Sequence, residues 1–153
     1  MSESVGDSID IAASPEAVWN MVSDVTRVPE WSPELVRVRW LGGAAGPAVG
    51  ARFKGTNRNG WHRWSTTCTV TEADPGRTFA YRVQTYGFSV AEWRYEITPS
   101  NGGCTLREST IDRRGFLIKT GGSPVTGVYK RAPHNLEGIR KTLQAIKASA
   151  ESR

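Results

Sequence analysis

The run PVTGVYKRAPHNLEGIRKTLQAIKASA, residues 124–150, decides the fold. Within it Leu136, Ile139, Leu143, Ile146 and Ala150 are spaced three, four, three and four residues apart. They therefore fall on one stripe of an α-helix, with Glu137, Arg140, Lys141 and Lys147 on the other side. A helix with a single apolar face must lie on something, and the chain before it offers only short alternating segments that read as strands. The fold class expected is α+β: a seven-stranded antiparallel curved sheet wrapped around a long C-terminal helix, with two short helices between strands 1 and 2. Pro133 removes the helical bond to the carbonyl of Tyr129 and should kink or divide the helix.

Working outward toward the N-terminus, residues 8–12 alternate as an edge strand, Ile9 and Ile11 on one face and Asp10 on the other. Ser14 supplies a helix N-cap, Pro15 fits the first helical position, and Glu16 suits the positive end of the dipole. Val18, Met21, Val22 and Val25 line one side of that short helix, with Trp19 at its margin. Pro29 and Pro33 limit the next segment to a second short helix or turn carrying Trp31. From Val36 the period becomes two: Val36, Val38 and Trp40 alternate with Arg37 and Arg39.

Strand 51–58 turns Phe53, Gly55 and Asn57 to one side, and Asn59-Gly60 is a strong hairpin signal. Strand 61–72 then sets His62, Trp64, Thr66, Cys68 and Val70 together. After the Asp74-Pro75-Gly76 turn, strand 77–84 presents Phe79, Tyr81 and Val83. A turn near Tyr86-Gly87 leads to strand 88–98 with Ala91, Trp93, Tyr95 and Ile97. The last strand, 104–112, aligns Cys104, Leu106, Glu108 and Thr110. On the outer face Arg82 can sit across from Glu92 or Glu96. Residues 115–122 read as a loop, and Ser123-Pro124 repeats the cap signal of Ser14-Pro15.

The totals fit one domain over residues 1–153: 38% of the chain is apolar and six residues are Trp, which is enough for a core. No stretch approaches the ~20 apolar residues of a membrane span, and Met1-Ser2-Glu3-Ser4 lacks the features of a signal peptide. A cytoplasmic location is expected, with Cys68 and Cys104 as reduced core thiols. The net charge of +5 raises the question of nucleic acid. Basic residues are scattered, with small groups at Arg113-Arg114, Lys130-Arg131 and Arg140-Lys141, and no nucleic-acid-binding signature accompanies them. A solvated basic surface is expected instead, which leaves weak attraction to anionic lipid or acidic partners open.

The order strand, two short helices, six-strand meander and long terminal helix resembles the helix-grip fold of the START/Bet v 1 superfamily. Three stretches are similar to its bacterial polyketide cyclase/dehydrase and lipid-transport group. They are Ser14-Pro15-Glu16-Ala17-Val18-Trp19 with Pro29-Glu30-Trp31-Ser32-Pro33, Gly50-Ala51-Arg52-Phe53 running on through Asn57 and Trp64, and Asp74-Pro75-Gly76-Arg77. The likeness covers nearly the whole chain, through caps, turns and core aromatics that specify a fold better than a function. It implies an apolar cavity between sheet and helix holding a hydrophobic small molecule, an aromatic polyketide in some relatives and a lipid in others. The family's cyclases share no single catalytic signature that maps onto these residues.

The predicted inward row of Asn57, His62, Trp64, Thr66, Tyr81, Trp93, Tyr95, Glu108 and Thr110 is polar for a surface facing a helix. Burying a carboxylate or imidazole without partners costs several kcal/mol, so these groups either bond one another or border a wet cavity. With Phe53 from the same face and Trp31 as a lid residue, the row makes a ligand wall: aromatics give area and a few polar groups fix orientation. Taken singly, Trp64, Trp93 and Tyr95 read as core and Trp31 as a packing anchor.

Glu108 is the most informative position, because its alternation partners Leu106 and Cys104 point inward. Buried in an apolar pocket it would titrate high and could act as a general acid or base; the architectural alternative is a carboxylate bonded to Tyr, Trp or Arg. His62 is its candidate partner in proton transfer, although Asn59-Gly60 just before it equally suits a place at the sheet rim. His134, following Pro133, is expected to be solvated or at a kink, and Gly121 and Gly122 to hinge a loop over the cavity mouth. No metal site, nucleophile elbow or phosphate loop is present, and no cofactor is expected. The function expected is binding of a hydrophobic small molecule, with cyclase or dehydratase chemistry through Glu108 and His62 as the alternative. The partners expected are that ligand alone, with no nucleic acid, no stable membrane insertion, and a monomer or homodimer.

Overall fold

Ser14 accepts a hydrogen bond from the Ala17 amide through Oγ at 3.1 Å, and Pro15 opens the helix it caps. This start signal sits between a first strand and a sheet whose other strands come after it in sequence. The computed structural model describes residues 3–85, 88–112 and 131–152. The elements in chain order are β1 (Glu3–Ile11), α1 (Pro15–Ser23), a 3-10 helix (Val25–Glu30) and β2 (Leu35–Trp40). Next come β3 (Arg52–Asn59), β4 (His62–Asp74), β5 (Thr78–Thr85), β6 (Phe88–Ser100), β7 (Gly103–Asp112) and α2 (Arg131–Glu151). Several expectations lie outside the described residues: the Tyr86-Gly87 turn, the loop at 115–122 with Gly121 and Gly122, and the Ser123-Pro124 cap. So do helix residues 124–130, the Arg113-Arg114 pair and Lys130.

The seven strands form one antiparallel sheet in the order β1-β7-β6-β5-β4-β3-β2. Register shifts at Leu35/Arg37, Val70/Glu72 and Val83/Gln84 bend it. The first shift corrects the reading of β2. Alternation alone puts Val36 inward with Val38 and Trp40, but the bulge leaves Val36 exposed and gives the position opposite Asn57 to Leu35. β1 also starts five residues earlier than the alternation indicates, at Glu3.

The core lies between the inner face of the sheet, α1 and α2. Val18, Met21 and Val22 are buried as α1 periodicity requires, Val25 is buried at the start of the 3-10 helix rather than on α1, and Trp19, expected at the margin, is buried too, its Nε1 donating to the Thr78 carbonyl at 3.0 Å. On α2, Ile139, Leu143, Ile146 and Ala150 are buried and Leu136 half-buried. The first three contribute on the order of 1.5–3 kcal/mol each by leaving water. α2 runs unbroken past Pro133, so the expected division is not found between Arg131 and Glu151.

Polar ties set how α2 lies on the sheet. Arg140 Nε donates to Asp7 Oδ2 at 3.0 Å, Lys147 Nζ to the Asp10 carbonyl at 2.8 Å, and the Ala12 amide to Glu151 Oε2 at 2.8 Å. The three contacts advance together along both elements, so α2 follows β1 in the same direction. Among the described residues, no helix is long and apolar enough to cross a membrane.

Candidate functional site

Cross-strand register turns the predicted inward row into a surface. One rung reads Asp7, Glu108, Tyr95 and Phe79; the next reads Val5, Thr110, Trp93, Tyr81 and Val70. Opposed residues in a sheet share a face, so Glu108, Thr110, Trp93, Tyr95 and Tyr81 are brought together. Phe53 joins them from β3, its ring edge-on to Tyr81 at 5.1 Å between centroids. Trp40 extends the aromatic series, 5.6 Å from Phe53, and Phe79 closes it, 5.9 Å from Tyr81. Tyr81, Tyr95 and Phe53 are buried and Trp93 is half-buried.

Thr66 and Asn57 bond each other, Asn57 Nδ2 donating to Thr66 Oγ1 at 3.2 Å, and Trp64 stands opposite Asn57, half-buried. Thr110 Oγ1 donates to the Glu92 carbonyl at 2.9 Å, so its hydroxyl proton is already engaged. Trp31, placed by the turn that ends the 3-10 helix, is 5% exposed, its ring under the Arg27 guanidinium at 5.2 Å. Its Nε1 is buried and has no hydrogen-bond partner.

Glu108 is the chemical centre of this face. It is 4% exposed, and its Oε1 is buried without a hydrogen-bond partner. Burial pushes its carboxyl up to about 8, opposed only by a hydrogen bond with Tyr95. The same burial drives the Tyr81 and Tyr95 hydroxyls well above the ordinary tyrosine value, with the nearby Glu108 charge adding to it. At neutral pH the group is therefore mostly a neutral acid with one oxygen that lacks a hydrogen-bond partner. Such a group can donate to a carbonyl, accept from a hydroxyl, or exchange a proton with a bound molecule.

The structure does not bring His62 to Glu108. Following the register from Glu108 through Tyr95 and Phe79 arrives at Ala73 on β4, and from position 73 to position 62 is eleven residues of strand. At the usual rise that is roughly 35 Å along β4. His62 sits instead at the tip of the β3–β4 hairpin, its ring stacked on Trp61 at 4.0 Å, which is the rim position its neighbour Asn59-Gly60 allows. His134, expected in solvent or at a kink, holds Glu34 Oε2 at 2.9 Å across the start of α2. Among the described residues no three His, Cys, Asp or Glu side chains converge as metal ligands. Cys68 and Cys104 are free and buried.

Sequence reasoning misses Asp7. It shares the rung of Glu108 and is held below the ordinary carboxylate range by the Ser8 amide and by Arg140. The signal is present, since extending the alternation of Ile9 and Ile11 back by one step reaches Asp7.

A family model described as polyketide cyclase / dehydrase and lipid transport matches residues 2–151. No curated protein sequence matches the chain. Among solved structures, the solution structure of the Polyketide_cyc-like protein Cgl2372 from Corynebacterium glutamicum is similar at 34% identity and a TM-score of 0.67, over 99% of this chain and 93% of that one. The crystal structure of Ara h 8.0201 aligns at 12% identity and a TM-score of 0.71, with both chains covered in full (100%). The di-domain ARO/CYC StfQ of the steffimycin biosynthetic pathway aligns at 17% identity and a TM-score of 0.76; this chain covers 52% of its length. The last two likenesses are of fold alone.

Proposed function

Because the chain belongs to the polyketide cyclase/dehydrase and lipid transport family, we propose that it binds a hydrophobic, ring-bearing small molecule against the inner face of its sheet. Tyr81, Trp93, Tyr95 and Phe53 supply the contact area, and Glu108 supplies the polar anchor. The observation that carries this reading is the buried, partnerless Oε1 of Glu108. An unmet buried polar atom costs about 1–3 kcal/mol, and a ligand oxygen beside it would recover that. Since the carboxyl titrates near 8, it offers a proton at neutral pH, which suits a ligand carbonyl. Aromatic side chains around a single polar fixing point are how such sites select flat, largely apolar molecules.

Native mass spectrometry of the protein as isolated, followed by fluorescence titration with a hydroxyanthraquinone, tests this. A retained mass or saturable binding is expected, with binding weakened at least about tenfold by Trp93→Ala. If the protein carries no small molecule and binds none of a panel of polycyclic ketones and fatty acyl lipids, the reading is wrong.

A second reading is proton-transfer chemistry of the cyclase or dehydratase kind, favoured by the same carboxyl titrating near neutrality. His62 has no part in it, as it stands at the hairpin tip. Glu108→Gln separates the two: binding alone survives within a small factor, whereas turnover of a polyketide substrate would be abolished.

A further inference from the structure

The outer face of the sheet is electrically divided. Toward one end, Arg94 on β6 holds Glu72, near the C-terminal end of β4, through two hydrogen bonds of 2.6 and 3.2 Å and reaches Glu96 at 3.4 Å. On β2, β3 and the first part of β4, before its register shift at Val70/Glu72, the outward positions carry Arg37, Arg39, Arg52, Lys54, Arg58 and Arg63. All are exposed except half-buried Lys54. None of the six has a carboxylate partner among the described residues. Two rungs set like charges directly opposite each other, Arg39 across from Lys54 and Arg58 across from Arg63. Like charges paired across strands destabilise a sheet, so this face holds a repulsion that an anionic partner would relieve.

Exposed rings accompany the charge at one end. Trp61, 88% exposed, projects from the β3–β4 tip between Arg58 and Arg63, backed by the His62 ring. Phe88, 56% exposed, opens β6. Because β4 starts and β5 ends at that edge of an antiparallel sheet, the β3–β4 tip and the start of β6 at Phe88 lie at the same end.

We propose that this face and its Trp61 tip form a docking surface for a bilayer containing anionic phospholipids, the guanidinium groups lying over headgroups and the two rings at the interface. Indole and phenyl rings beside cations settle at the headgroup level of a membrane, and cations near an anionic leaflet gain attraction that salt screens. The pattern argues for a diffuse plane of charge over other anions. The cations are spread across three strands, with no helix or ribbon to enter a nucleic-acid groove. The middle of the patch is Ser65, Thr56 and Thr67, where a protein interface would place its apolar anchors. The proposal is independent of what occupies the inner face.

Flotation of the full chain with vesicles tests it, using phosphatidylcholine alone and phosphatidylcholine mixed with phosphatidylglycerol. Binding is expected only to the mixed vesicles, falling as NaCl rises from about 50 to about 500 mM. Arg58→Glu combined with Arg63→Glu should weaken it about tenfold or more. Trp61→Ala should weaken it about threefold or more, and brominated lipid should quench the wild-type protein more than Trp61→Phe. Circular dichroism and thermal melting show that the variants remain folded, and the charge-reversed protein should melt no lower than wild type. Failure to bind anionic vesicles at low salt, equal binding to both vesicle types, or undiminished binding by the folded charge-reversed variant overturns the proposal. So does binding to duplex DNA or polyglutamate without binding to vesicles.

Discussion

A carboxyl group loses several kcal/mol of hydration when it is buried, and Glu108 recovers only part of that through Tyr95. Its folded value, about 8, stands above the ordinary 4.5, so its contribution to stability is fully present below pH 4.5 and is lost progressively as pH rises through 8. The full swing is on the order of 5 kcal/mol. Urea unfolding at pH 5 and pH 9 should therefore show a large loss for wild type and a much smaller one for Glu108→Gln; parallel curves for the two proteins would contradict the burial argument. At Cys68, burial pushes the thiol up to about 12. Iodoacetamide should leave it unmodified in the native protein and label it on unfolding, as mass spectrometry of the digested protein would show. Both residues are legible as inward-facing from strand alternation. The same rule leaves two places open for His62, beside Glu108 or at the rim, because alternation says which face a residue takes and nothing about how far along the sheet its neighbours extend.

Among the described glycines, the closest approach of another backbone is at Gly103, where β7 begins beside the end of β1. A Cβ on Gly103 would overlap the Ile11 carbonyl oxygen, a backbone atom that cannot move without breaking the pairing. Gly103→Ala is expected to cost about 2 kcal/mol or more by denaturant titration. Gly102→Ala next door meets nothing within 4 Å and should cost only the strain of its positive φ of 78°, about 1 kcal/mol. On α2, Ile146→Ala should cost about 2–5 kcal/mol and Leu136→Ala distinctly less, since Ile146 is fully buried and Leu136 is not. The stripe itself is readable from spacing and the caps from residue type. The bulge at Val36 is not, because an extra residue in a strand leaves no mark on a two-residue period. Nor is the course of α2 along β1, which rests on Arg140, Lys147 and Glu151 finding partners more than 130 positions away.

The whole molecule carries a net charge of +5, much of it on one half of the outer sheet face. Added salt should therefore stabilise it, by a few tenths of a kcal/mol between about 10 and 300 mM NaCl, and Arg58→Gln should reduce that increment. Differential scanning calorimetry would measure both; a fall in melting temperature with salt would mean that ion pairs such as Arg94 with Glu72 outweigh the repulsion. A hydroxyanthraquinone present at about 100 times its Kd should add about 2.7 kcal/mol. If Glu108 donates the anchoring proton, affinity should fall as pH passes 8. The arrangement of strands and terminal helix can be read from periodicity because each element shows its buried face in its own spacing. The division of charge cannot, since it arises only when distant strands are laid side by side.

The seating of β1 between β7 and α2 has a consequence for synthesis. Asp10 meets Thr105 across 95 positions, and Ala12 meets Glu151 across 139. During synthesis β1 thus stays unpaired until β7 has been made about a hundred residues later, and uncovered until α2 follows. Loops of that span close slowly, so native structure should arrive late and nearly all at once, with Ile9 and Ile11 exposed to chaperones in the interval.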